Sequence, residues 1–175
     1  MSYGLDEFCA DLTGILKAKG VAGLSEIAEK LKRLVSNPDF VTETFAGSSA
    51  PQRLLYHDAK TDAHVLAHIQ QAGKSGVPHS HGASWAIYGN ARGDTEMIEW
   101  RRTNPESDEH AVLEESDRYF LRPGQTRAYG PHVIHSTAHP DGAWVIRVTG
   151  TNLDKLPRYY FRPKKDKILP ARETV

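Results

Sequence analysis

From Gly47 to Gly150 the chain is cut into short segments by Gly, Pro, Asn and Asp, and this punctuation limits the fold more than any other feature. Residues 53–57, 63–70, 95–101, 111–113, 118–121, 126–129 and 143–149 are short, β-prone runs separated by turn residues. No helical stripe fits between them. Parallel pairing needs long crossovers, so many short strands without intervening helices predict an antiparallel sandwich or barrel.

The first 46 residues follow a different rule. Leu5, Phe8, Leu12, Ile15 and Leu16 recur at spacings of three and four, closed by Lys17, Lys19 and Gly20, which predicts an amphipathic helix. Ser25 fits the N-cap of a second helix with Ile27, Ala28, Leu31, Leu34 and Val35 on one face. Asn37 and Pro38 read as the cap and first residue of a short third helix carrying Phe40, Val41 and Phe45. These stripes are core-packing surface. The expected organisation is a helical segment, 1–46, packed on a barrel, 47–175, in a single domain. The C-terminal extension is basic at Arg158, Arg162, Lys164, Lys165 and Lys167, the pattern of a solvated face. Tyr159, Tyr160 and Phe161 suit a final strand or a dimer contact.

Lys and Arg number 22 and Asp and Glu 22, so no overall field recruits nucleic acid or an anionic membrane. No apolar run is long enough to span a bilayer, and the first residues carry Asp6 and Glu7 where a secretory signal has basic residues. Cys9 is the only cysteine, so it has no partner in the chain for a disulfide, and it reads as a small helix residue. Together these predict a cytoplasmic chain, monomeric or homodimeric, with no nucleic-acid or membrane partner.

The chemistry lies in Pro78, His79, Ser80, His81 and Gly82. In a strand, positions i and i+2 share a face, so His79 and His81 aim two imidazoles at one point. Imidazole is the commonest metal-binding side chain. A third ligand is available from His132, His135 or His139, and His135 precedes the apolar strand 143–149. A His-x-His pair, a long excursion and a lone histidine entering another strand is the order of a cupin barrel. Trp85 and Ala86 stand where ordinary cupins carry a glutamate ligand, which leaves three neutral imidazoles and the ion's charge open to substrate. Ferrous iron suits such a site, with zinc or nickel as rivals.

At these residues the sequence resembles the cysteine dioxygenase-like, or thiol dioxygenase, branch of the cupins. The likeness spans about 53–149 and rests on Arg53 with Leu54 and Leu55, the 78–82 stretch, 85–93, His135 and 145–150. The resemblance implies iron(II) on His79, His81 and His135, and Arg53 as the clamp on a substrate carboxylate. The chain departs from the family at its Ser-His-Tyr relay, which here is Val145, Arg147 and Thr149, and Ala86 replaces the cross-linking cysteine.

Val145, Arg147 and Thr149 share one strand face, opposite Trp144, Ile146 and Val148. With that face inward, Arg147 enters the pocket beside the metal and needs a carboxylate from protein or ligand. Arg53 and Arg147 would then select a small anionic substrate. Trp85 reads as a core aromatic, His57, His64 and His68 as strand histidines and His139 as exposed. Three classes follow: an iron(II) dioxygenase using O2 on a small anionic thiol or other chelator, a zinc or nickel cupin doing non-oxidative chemistry, and a non-enzymatic small-anion-binding cupin.

Overall fold

The computed structural model describes residues 3–164 and 167–173. Helices α1 (Leu5–Lys19), α2 (Leu24–Val35) and α3 (Pro38–Phe45) come first. Strands β1 (Gln52–His57), β2 (His64–Gln70), β3 (Lys74–Ser75), β4 (His79–Ser80), β5 (Ala86–Arg92) and β6 (Thr95–Arg102) follow. Then come β7 (Leu113–Leu121), β8 (Thr126–Tyr129), β9 (Ile134–His139), β10 (Ala143–Thr149), β11 (Arg158–Lys164) and β12 (Lys167–Glu173).

The helices start and stop for local reasons. Glu7 reaches back to accept from the Gly4 amide at 3.0 Å, closing the first turn of α1. The Asn37 side chain accepts from the Asp39 amide and Pro38 occupies the first turn of α3, as the sequence predicts. The start of α2 differs from expectation: Gly23 is its N-cap and Ser25 lies inside the helix. A Cβ at Gly23 would stand 2.4 Å from Ile15 Cγ2, so close approach to α1 sets this corner and a side-chain cap does not. Cys9 is buried, and burial pushes its thiol pKa up to about 12, which makes it inert packing.

Two antiparallel sheets form the barrel, in the orders β1-β2-β10-β5-β8 and β12-β11-β4-β9-β6-β7. The late strand β10 sits between β2 and β5, and β9 between β4 and β6. That interleaving of distant strands is the double-stranded β-helix of a cupin barrel. Residues 111–113 and 118–121, expected as two strands, belong largely to one, β7, which pairs with β6 through a bulge between Glu99 and Trp100. Residues 158–164 form β11, which places Tyr160 opposite His79 and buries Phe161. Arg162 is exposed, while the side chains of Arg158, Lys164, Lys165 and Lys167 lie outside the described residues.

Parity along β10 divides the protein. Ile146 and Val148 pack with Phe8, Leu12, Leu31 and Leu34 in the core between helices and sheet. Ala143 and Val145 pack with Tyr88, Met97 and Tyr129 inside the barrel. Gly89 lies opposite Ile146, and a Cβ there would meet Leu31 at 3.0 Å, so α2 presses directly on the sheet. Leu31 is fully buried at this contact. Leu31→Ala is expected to cost about 2–5 kcal/mol in a denaturant unfolding curve. A loss under ~1 kcal/mol would mean that the helical layer folds independently of the barrel.

Candidate metal centre

Strands β4 and β9 assemble the histidines. His79 pairs directly with His135 across these strands, and His81 follows one residue beyond the end of β4. The chain then turns at Gly82, with φ of 58° and the Pro157 carbonyl 2.8 Å from where a Cβ would stand, so a side chain is excluded there. The ligand atoms of His79, His81 and His135 all lie within 4.8 Å of one another.

Ring orientation is fixed from behind. The Nδ1 of His79 donates to the Val77 carbonyl at 3.0 Å and that of His135 to the Val133 carbonyl at 3.3 Å. A carbonyl only accepts, so both rings carry their proton on Nδ1 and keep the Nε2 lone pair free of hydrogen. Burial, with charge from His79 and Arg147, pushes the His135 pKa down to about 3. This ring is therefore neutral near pH 7. Neutral imidazoles with an unprotonated Nε2 are metal donors. Among the described residues no carboxylate joins the cluster.

Two tyrosines that the sequence reasoning missed frame the site. The Tyr88 hydroxyl lies 3.4 Å from His81 Nε2 and 3.2 Å from His135 Nε2. The Tyr129 ring stacks on His135 at 4.7 Å and 6°. Its hydroxyl is 2.5 Å from that of Tyr119, which donates to Glu99 at 2.9 Å, and Arg127 donates to the same Glu99 oxygen at 2.6 Å. This chain holds the aromatic wall behind the third histidine. The available signal was parity, since Tyr88 is two residues along β5 from Ala86.

The other expected site residues are distributed as follows. Arg147 faces the barrel interior, in register with Tyr88 on one side and Leu66 on the other. Arg53 is not beside the histidines. It pairs with Ala67, whose side chain belongs to the helix-facing core, and it donates to the Thr44 carbonyl at 2.6 Å. The clamp implied by the resemblance is thus on the wrong face of the sheet, where Arg53 caps the end of α3. His132 is exposed with φ of 64° and lines an outer cleft of about 780 Å³, while His135 groups with His79 and His81. His139, expected to be exposed, is buried against Thr95 Oγ1 at 3.2 Å. Burial pushes its pKa down to about 4. Trp85 is a core residue whose indole covers Gly150, where a Cβ would stand 2.6 Å from Nε1.

A second histidine group, His57, Asp62 and His64, ties β1 to β2. His57 Nε2 is 2.9 Å from Asp62 Oδ1, His64 Nδ1 donates to the Asp62 carbonyl at 2.8 Å, and Thr151 bonds the other carboxylate oxygen. These contacts account for it as a structural corner.

The sequence matches no protein-family model and no curated protein. In structure the chain is similar to KdgF from Halomonas sp., with TM-score 0.45 and 18% identity over 62% of this chain and 90% of that one. It is similar to a cupin superfamily protein from Desulfitobacterium hafniense at TM-score 0.45 and 12% identity, over 64% and 87% of the two chains. The DMSP lyase DddQ from Ruegeria pomeroyi aligns at TM-score 0.44 and 14% identity, over 61% and 49%. The fold assignment rests on the strand order itself. No helix among the described residues is long and apolar enough to cross a membrane.

Proposed function

We propose that this chain is a metal-dependent cupin enzyme, an iron(II) dioxygenase acting on a small anionic substrate that chelates the metal. The observation that carries this reading is the three-imidazole cluster without a carboxylate, two of its rings tautomerically fixed by backbone carbonyls. Neutral ligands leave a divalent ion its full charge, which favours an anionic chelator such as a thiolate or a pair of oxygens. The bound iron would supply O2 activation, and a dioxygenase puts both oxygen atoms into its product without an external reductant. The protein's own part is positioning: Val77 and Val133 hold the rings, Tyr129 backs His135, and the Tyr88 hydroxyl offers a hydrogen bond to whatever occupies the centre. The thiol dioxygenase resemblance supports iron and O2, although without Arg53 in the pocket it does not support cysteine as substrate.

A second reading has one observation in its favour. A phenol against two candidate ligand nitrogens is a proton donor and acceptor, which suits isomerisation or lyase chemistry on zinc or nickel. Metal analysis of protein purified without added metal, together with O2 uptake on cysteine and 3-mercaptopropionate, separates the two. About one iron per chain with thiol-dependent uptake is the expected result. Stoichiometric zinc or nickel without uptake would replace the dioxygenase with the non-oxidative enzyme.

A further inference from the structure

Resting on the metal-centre reading, the geometry points to Arg147 and His68 as the anchor for a substrate carboxylate, so that the substrate is a short molecule with a carboxylate at one end and its chelating group at the other.

Arg147 lies on the inner wall one strand from Tyr88, whose hydroxyl touches two histidines of the triad. His68 lies opposite Val145, diagonal to Arg147 and on the same inner face. Both carry a buried nitrogen without a hydrogen-bond partner, Arg147 Nε and His68 Nε2. His68 is 7% exposed, so its open nitrogen is not answered by bulk water. Two such atoms on one patch of a barrel wall leave a demand that the protein does not meet from its own groups.

The charges around them define the missing group. The fixed charges acting on His68 come from Arg147 and Lys74, both cationic, and Arg147 also acts on His135. Among the described residues no carboxylate lies within ion-pair distance of Arg147. Glu99, an acid on the other sheet opposite His135, is committed to Arg127 and Tyr119. A half-buried guanidinium without an acid in ion-pair reach calls for an external anion, and its planar fork matches a carboxylate. His68, neutral in this setting, offers Nε2–H as a second donor when its proton sits on that nitrogen. Its Nε2 and the Arg147 fork then bind one head group, while the other end of the molecule extends past Tyr88 to the triad. Arg53 had been the sequence's candidate for this task, and its outward register passes the task to Arg147.

The test uses wild type, Arg147→Leu, Arg147→Lys and His68→Leu, each assayed for metal content. Binding of 3-mercaptopropionate and of ethanethiol, which lacks the carboxylate, is followed on the cobalt(II)-loaded proteins by the thiolate charge-transfer band. Wild type should prefer 3-mercaptopropionate by about 10- to 100-fold, the value of a charge-assisted hydrogen bond pair. Arg147→Leu should erase that preference with metal content unchanged, Arg147→Lys should keep part of it, and His68→Leu should reduce it several-fold. Equal preference in wild type and Arg147→Leu, both loaded, would overturn the anchor. If no variant holds cobalt, the metal reading fails, and binding of malonate or 3-mercaptopropionate to the metal-free proteins decides by NMR. Carboxylate binding lost in Arg147→Leu upholds the anchor, and no carboxylate binding to wild type overturns it.

Discussion

Between pH 6.5 and about 4.5 the metal-free protein is expected to lose on the order of 2 kcal/mol of stability for each deeply buried imidazole. His68 and His135 have pKa values pushed down to about 3, and His139 to about 4, each from the ordinary histidine value of 6.5 and each chiefly by burial. The unfolded chain binds these protons as pH falls through 6.5, whereas the folded chain refuses them until far lower pH. Stability is therefore complete above 6.5 and declines towards the folded-state values. Carboxylates do not explain loss in this window. Asp11, Asp58 and Asp62 are held below the ordinary carboxylate pKa, and their contribution disappears only in more acid solution. Melting curves from pH 8 to 4 on chelator-treated wild type and His68→Leu give the measurement. The variant should show a shallower decline from 6.5 to 4.5, having one fewer imidazole to refuse. Identical slopes would show that His68 takes a proton in the folded state.

The same histidines show what a sequence can and cannot convey. His79 and His81 were legible because a strand places i and i+2 together, and His135 stood out from His132 and His139 by its place before the apolar strand 143–149. The helices were legible from period alone, and Asn37-Pro38 from cap chemistry. Which way a strand faces was harder. Strand β2 is buried at five successive positions, His64 to His68, so apolar alternation carried no information about which of them looked inward. Strand β1 has a register shift between Leu54 and Tyr56, and there the opposite residues take different faces. Arg53 was placed by its family position, and its register with Ala67 puts it on the helix-facing side of the sheet, against the end of α3. Arg147 was placed by its own strand's alternation, and the barrel core at Val145 agrees with that face. Tyr88 was lost inside an apolar run, where a phenol looks like core until the other sheet supplies His135.

Adding iron(II) anaerobically, or cobalt(II) or nickel(II), to the metal-free chain is expected to raise its melting temperature sharply. Ligand at a thousand times Kd adds about 4 kcal/mol to the folded state. Three converging nitrogens provide the affinity, and the same ion holds those nitrogens deprotonated. Metal should therefore also move the acid transition to lower pH, because a ligated His135 cannot be the group that protonates. His81→Ala removes one of three donors, and the two that remain, His79 and His135, face each other across β4 and β9 with nothing to close the site. In that variant the metal-induced shift should vanish. The metal-free melting temperature of His81→Ala, measured alongside, separates lost binding from lost packing, since His81 is itself buried. An undiminished shift in His81→Ala would locate the ion elsewhere. The His57, Asp62 and His64 corner would then be the site to test, because it alone among the other described residues groups three donors closely enough. A shift surviving His81→Ala but lost in His57→Ala would overturn the metal centre placed between β4 and β9, and with it the dioxygenase.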